Sequence, residues 1–136
     1  MENRKGFTLI ELMVVILIVS ILAGVAIPLM QGRIDSAKWS EANACAGTIR
    51  TAVRAYVAQE GITQATSDLD GEAVSDHLEE LGFDESDLKG SYFTASNYTI
   101  SDIDADGLVE ITVTAGTGLP ADDEYVLGTD GSWTKQ

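Results

Sequence analysis

Asp102, Asp104 and Asp106, followed by Gly107, spell D-x-D-x-D-G. That is the first half of an EF-hand-like loop, in which alternate carboxylates supply hard oxygen ligands to calcium and glycine makes the sharp turn. Position twelve of such a loop is Val113 rather than glutamate, so a true EF-hand is excluded. The other reading of the same residues is an acidic Asp-Gly hairpin turn between two strands. A second chemically conspicuous residue is Glu11, a lone carboxylate in a long apolar stretch. A charge near the centre of a membrane segment costs up to about 3 kcal/mol and marks a functional position by default. His77 and Cys45 are the only residues of their kinds. No nucleophile–histidine constellation can be assembled from them, and carboxylates without a cleft do not define an acid/base pair, so an enzyme is not indicated. A single cysteine rules out an intramolecular disulfide, a CxxC metal site and CxxCH haem attachment. On the apolar stripe described below, Cys45 reads as a buried inert thiol. His77 reads as a surface or partly packed residue, and Asn97-Tyr98-Thr99 is a glycosylation-type triplet.

The elements that carry these residues follow the polarity of the chain. The 136 residues hold 22 acids against 8 bases, a formal charge of −14. Such a chain is repelled by phosphate backbones, which excludes nonspecific nucleic-acid binding by the isolated subunit. Residues 1–6 are polar and include Arg4 and Lys5, whereas 7–30 carry only Glu11. The uncharged run 12–30 spans about 28 Å as a helix, roughly one hydrocarbon core. Residues 59–136 hold 18 acids against two bases. Apolar positions predict one helix over 9–57, apolar all round at first and then amphipathic. The later stripe comprises Ala42, Cys45, Ile49, Ala52 and Tyr56, widened by Val53 and Val57. Pro28, four residues after Gly24, predicts a kink or local melting, with the helix resuming by Leu29. Residues 61–71 read as a loop, and Asp70 as the cap of a short helix ending at Leu81 before Gly82. Two hairpins follow. One pairs 98–101 with 109–113 through a turn at 104–107, and the other pairs 124–127 with 132–134 through 129–131. The aromatics, Trp39, Tyr56, Tyr98, Tyr125 and Trp133 among them, fit hydrophobic packing. The fold class is therefore α+β: a long helix whose second half packs on a small antiparallel sheet. The predicted division is 1–6 leader, 7–58 helix (7–30 transmembrane, 31–58 stem) and 59–136 acidic head.

The N-terminus has two competing readings. A secretory signal peptide would be cut after the small residues near Ala26. Against it stand the charge at Glu11, the length of the apolar run, and a helical pattern that continues beyond the cleavage position. A plain signal anchor leaves Glu11 unexplained. The run Arg4-Lys5-Gly6-Phe7-Thr8-Leu9-Ile10-Glu11-Leu12, with Gly24 and Pro28 behind it, resembles the class III leader of type IV pilins and type II secretion pseudopilins.

That resemblance implies a structural filament subunit rather than an enzyme. A prepilin peptidase would cut between Gly6 and Phe7 and N-methylate Phe7. Glu11 would meet the N-terminal amine of a neighbouring subunit during assembly. The implied partners are identical and minor subunits in a helical filament, an inner-membrane assembly platform, and the lipid bilayer beforehand. The precursor would cross the cytoplasmic membrane once with its C-terminus outside, by the positive-inside rule, before joining an extracellular or periplasmic filament. Pseudopilins carry a calcium site among their head loops, to which Asp122, Asp123 and Asp130 would add ligands here. Many pilins close a C-terminal loop with a disulfide, which this chain cannot form. A pilus subunit is the first expectation and a type II secretion pseudopilin the alternative. A secreted or anchored enzyme is the reading from another class.

Overall fold

The computed structural model describes residues 6–136, so Arg4 and Lys5 of the expected leader lie outside the described residues. The long helix is present as α1, Leu9–Glu60. The expected melting at Pro28 does not occur, because the helix continues through that residue. Proline removes a single ladder bond there, and glycine at the i−4 position gives the backbone room to yield. Contacts divide the chain into two compact units, with the boundary between Ser36 and Ala37. In the first unit the large apolar side chains of α1 are exposed, Leu9 at 75% and Leu22 at 64% among them. α1 is long and apolar enough there to cross a membrane. Ser20 satisfies its hydroxyl on the carbonyl of Ile16 at 2.6 Å, so this polar side chain leaves no unpaired donor on the rod.

The second unit, Ala37–Gln136, contains the core. Four strands form an antiparallel meander in the order β1 (Tyr98–Ile103), β2 (Val109–Thr114), β3 (Glu124–Leu127) and β4 (Trp133–Lys135). The two hairpins are those the alternation predicts. Ile100 faces Ile111, and Ile111 in turn faces Leu127. Between Ile100 and Asp102 the register shifts by one residue, leaving Ser101 as a bulge. The bulge resets the parity of β1, so Tyr98, Ile100 and Ile103 all reach the core although the last breaks the two-residue period. Against this face α1 presents Trp39, Ala42, Ala46, Ile49, Val53 and Val57, all buried. The centre of the stripe therefore lies beside the predicted one, and Cys45, Ala52 and Tyr56 pack along its margin. The outer edge of β1 is occupied by residues 71–73, which exchange backbone bonds with Ile100 and Thr99.

One segment departs from expectation. Residues 61–71 are not a loop: Ile62–Leu69 is helix α2, and Asp70 follows its C-terminus instead of capping a later helix. Beyond it only a 3-10 turn, Val74–Asp76, replaces the predicted helix, although Gly82 does turn the chain at φ 76°. The Thr-rich composition argued against α2, but burial of Ala65 and Leu69 outweighs the weak propensity. Tyr56 donates to Asp68 Oδ2 at 2.9 Å, tying α2 to α1. Gln64 and Tyr56, both donating to it, hold the Asp68 carboxyl below its usual range. The same bond pushes the Tyr56 phenol up to about 12. The Asp68 contribution is therefore present above the ordinary carboxylate range and lost as pH falls through the lowered value.

Ile49 is fully buried between helix and sheet. Ile49→Ala should cost about 2–5 kcal/mol. Thermal denaturation of the detergent-solubilised full chain, read by fluorescence of Trp39 and Trp133, measures it.

Candidate functional site

The N-terminus of α1 is built by Thr8 and Glu11. Thr8 occupies the N-cap position, and its hydroxyl oxygen accepts from the Glu11 amide at 3.3 Å. Glu11, three residues on, reaches back. Its Oε2 accepts the Thr8 amide at 2.8 Å and the Thr8 hydroxyl at 2.6 Å. This is a reciprocal capping box, which satisfies free helix-end donors and places negative charge at the positive end of the helix dipole. Among the described residues Glu11 Oε1 has no partner, so one oxygen of the carboxylate remains to accept another donor. Gly6, Phe7 and Thr8 precede the helix, are exposed and carry no regular structure. The role of Thr8 was not singled out from sequence, although T-x-x-E before an apolar run is the signature of this cap.

The head residues do not form a comparable site. Asp104, Asp106 and Gly107 make the hairpin turn offered as the alternative to a calcium loop. Asp104 Oδ1 accepts the amides of Asp106 at 2.9 Å and Leu108 at 2.8 Å, and the Gly107 amide bonds the Asp104 carbonyl. Gly107 stands at φ 73°, a conformation glycine adopts without penalty. Asp102 belongs to β1 and faces Glu110 across the sheet, where Ser101 donates to Glu110 at 3.1 Å. Among the described residues no group of three or more His, Cys, Asp or Glu could hold a metal. Asp130 makes a second turn of the same kind, accepting the Ser132 amide, and Asp123 pairs with Lys135.

The remaining candidates are structural. Cys45 is half-buried beside Tyr98, and burial pushes its thiol up, away from the reactive form. Tyr98 is 1% exposed, and burial followed by the adjacent thiol raises its phenol as well. His77 pairs with Glu80 at 2.7 Å on the surface. Asn97 spends its side chain on the cap at Thr94 and on the carbonyl of Ala115, so the triplet beginning there does not present a free amide. The aromatics pack as a cluster: Trp39 lies 4.3 Å from Tyr125 and 5.2 Å from Phe93. Trp133 stacks on Tyr125 at 5.1 Å.

Because Asp104 acts as a turn acceptor, Asp104→Ala should lower stability by about 1–2 kcal/mol. The loss should be the same with calcium or with a chelator present, as measured by urea denaturation under both conditions.

Residues 1–27 match the prokaryotic N-terminal methylation motif family. The fimbrial protein EcpB of Eikenella corrodens is 40% identical over 97 residues, covering 71% of this chain and 61% of that protein. The type IV major fimbrial protein FimA of Dichelobacter nodosus is 36% identical over 121 residues, 89% of this chain and 67% of FimA. A fimbrial protein of Pseudomonas aeruginosa is 34% identical over 117 residues, 85% of this chain and 71% of that protein. No solved structure gives a significant match. The similarity thus runs from the leader motif well into the acidic head, and the chain belongs to the type IV fimbrial (pilin) family.

Proposed function

We propose that the chain is a structural, non-enzymatic subunit of a type IV pilus, made as a membrane-anchored precursor and polymerised through the first half of α1. The observation that carries this reading is the pairing of an exposed apolar rod with one carboxylate held at its very start. A rod of this kind has two stable environments, a lipid bilayer and a bundle of like helices. Prepilin peptidase would cut after Gly6, leaving Phe7 as an N-methylated terminus and Glu11 four residues, about 6 Å, inside the helix. That depth lies near the membrane interface, where a carboxylate is far cheaper than at the centre.

Once subunits leave the lipid, the carboxylate needs a cation. The amine of a neighbouring subunit's Phe7 would supply it, and among the described residues Glu11 Oε1 is the oxygen without a partner. Oε2 stays bound to Thr8, which fixes the carboxylate plane and so the direction from which the amine approaches. A desolvated carboxylate left unpaired is costly, so the pairing selects the axial register of each incoming subunit. The fimbrial relatives support a pilus over a secretion pseudopilus.

Intact-mass analysis of the protein from cells with a prepilin peptidase should show a chain beginning at N-methylated Phe7. An N-terminus at Ile27 would instead restore an ordinary signal peptide. Glu11→Ala should be cut and inserted normally, while the yield of sheared filaments falls by about tenfold or more. Wild-type yield from that variant would mean that the carboxylate does not set register.

A further inference from the structure

Within Ala37–Gln136 the outermost line of α1 runs through Ala44, Thr48, Thr51, Ala55 and Ala58, all exposed and uncharged. Thr48 and Thr51 return their hydroxyls to the carbonyls of Ala44 and Gly47 at 3.2 and 2.9 Å, so the line presents methyl groups and no spare donors. The two sides of this line differ in charge. At 100° per residue, Arg54 lies toward the edge occupied by Arg50. Arg50 is engaged, donating to the Gly128 carbonyl at 3.1 Å. Arg54 is exposed and makes no hydrogen bond or ion pair among the described residues. On the other side Phe83 flanks Ala52 and Ala55 in a shallow groove. Phe83 sits inside the run Glu79, Glu80, Asp84, Glu85 and Asp87, whose five carboxylates are all exposed.

We propose that this face is an interface between copies of the chain, in which Arg54 of one copy docks against the Glu79–Asp87 acidic loop of the next. The pairing rests on the filament reading, which it deepens by naming the head-to-head contact. Charge carries the assignment. Residues 59–136 hold 18 acids against two bases, so neighbouring heads repel unless a cation on one meets an anionic edge on another. Arg54 is the one arginine of this unit not already committed within the fold, and its planar donors suit a pair of carboxylates. The small side chains beside it let the second copy approach closely enough for that contact. A nucleic acid is excluded as occupant, because the acidic field around a single exposed arginine repels phosphate.

The test uses the full chain in cells carrying its peptidase and assembly machinery, with sheared filament yield as the readout. Arg54→Glu should reduce yield about tenfold, and so should Glu79→Lys with Glu85→Lys. Combining the three changes should return yield to within about twofold of the unaltered chain, as a double-mutant cycle requires of a direct pair. Intact mass and membrane abundance of each variant report that it is made and processed normally. Wild-type yield from Arg54→Glu overturns the pairing, as does a combined variant no better than the single ones. If the unaltered chain forms no filaments, the filament reading itself falls and the pairing with it.

Discussion

The contact between the inner stripe of α1 and the buried face of the four-stranded sheet is the constraint on which the rest of the second unit depends. Ala42 and Ala46 are the small residues of that stripe, and Ile49, Val53 and Val57 are the larger ones. All five join one buried cluster with Ile100, Ile111 and Val113, and Trp39 on the same helix anchors the aromatic group with Phe93 and Tyr125. A sheet with one apolar face must bury it against another element, and the helix supplies that layer. The bulge at Ser101 belongs to the same requirement. Without the extra residue Ile103 would point to solvent and Asp102 toward the helix. The turns at Asp104 and Asp130 serve it too, since each fixes the register of a hairpin whose inward residues must match the stripe.

The same helix does opposite things along its length. In the first unit its apolar residues are exposed, and from Trp39 onward those of one stripe are buried within the unit. The change of role needs no break in the backbone, only a change in how apolar residues are distributed around the axis. All-round hydrophobicity has no preferred neighbour, whereas a single stripe has one. The reciprocal cap at Thr8 and Glu11 is a polar feature at the start of the apolar part.

Most of this architecture is legible in the sequence because its signals are local. The helix, both hairpins and the Asp-Gly turn follow from spacing and turn chemistry, and the leader motif carries the resemblance to pilins and pseudopilins. What the sequence does not display depends on tertiary burial. α2 contains Thr63 and Thr66 and begins after glycine, so propensity reads it as loop until Ala65 and Leu69 are seen to be buried. The stripe centre differs for the same reason: Cys45 and Ala52 satisfy the helical period, but Ala46 and Val53 are the fully buried residues. Of the carboxylates in the D-x-D-x-D-G run, Asp102 lies in β1 opposite Glu110 and Asp104 closes the turn, a division that the bulge and the hairpin register set.

The tie-down of the last hairpin has a consequence for where the fold can mature. Arg50 grips the turn at Gly128, Trp133 stacks on Tyr125, and Lys135 pairs with Asp123 at 2.5 Å. That bond to Asp123 holds the Lys135 ammonium above its usual range, so the contribution is present through neutral pH and lost only as pH rises through the raised value. None of these ties involves sulfur, and the only thiol is half-buried elsewhere. Acquisition of the native state thus consumes no oxidant and calls for no thiol-exchange catalyst. The head can reach its final shape with equal ease in an anoxic or an aerated environment, and a reducing one does not undo it.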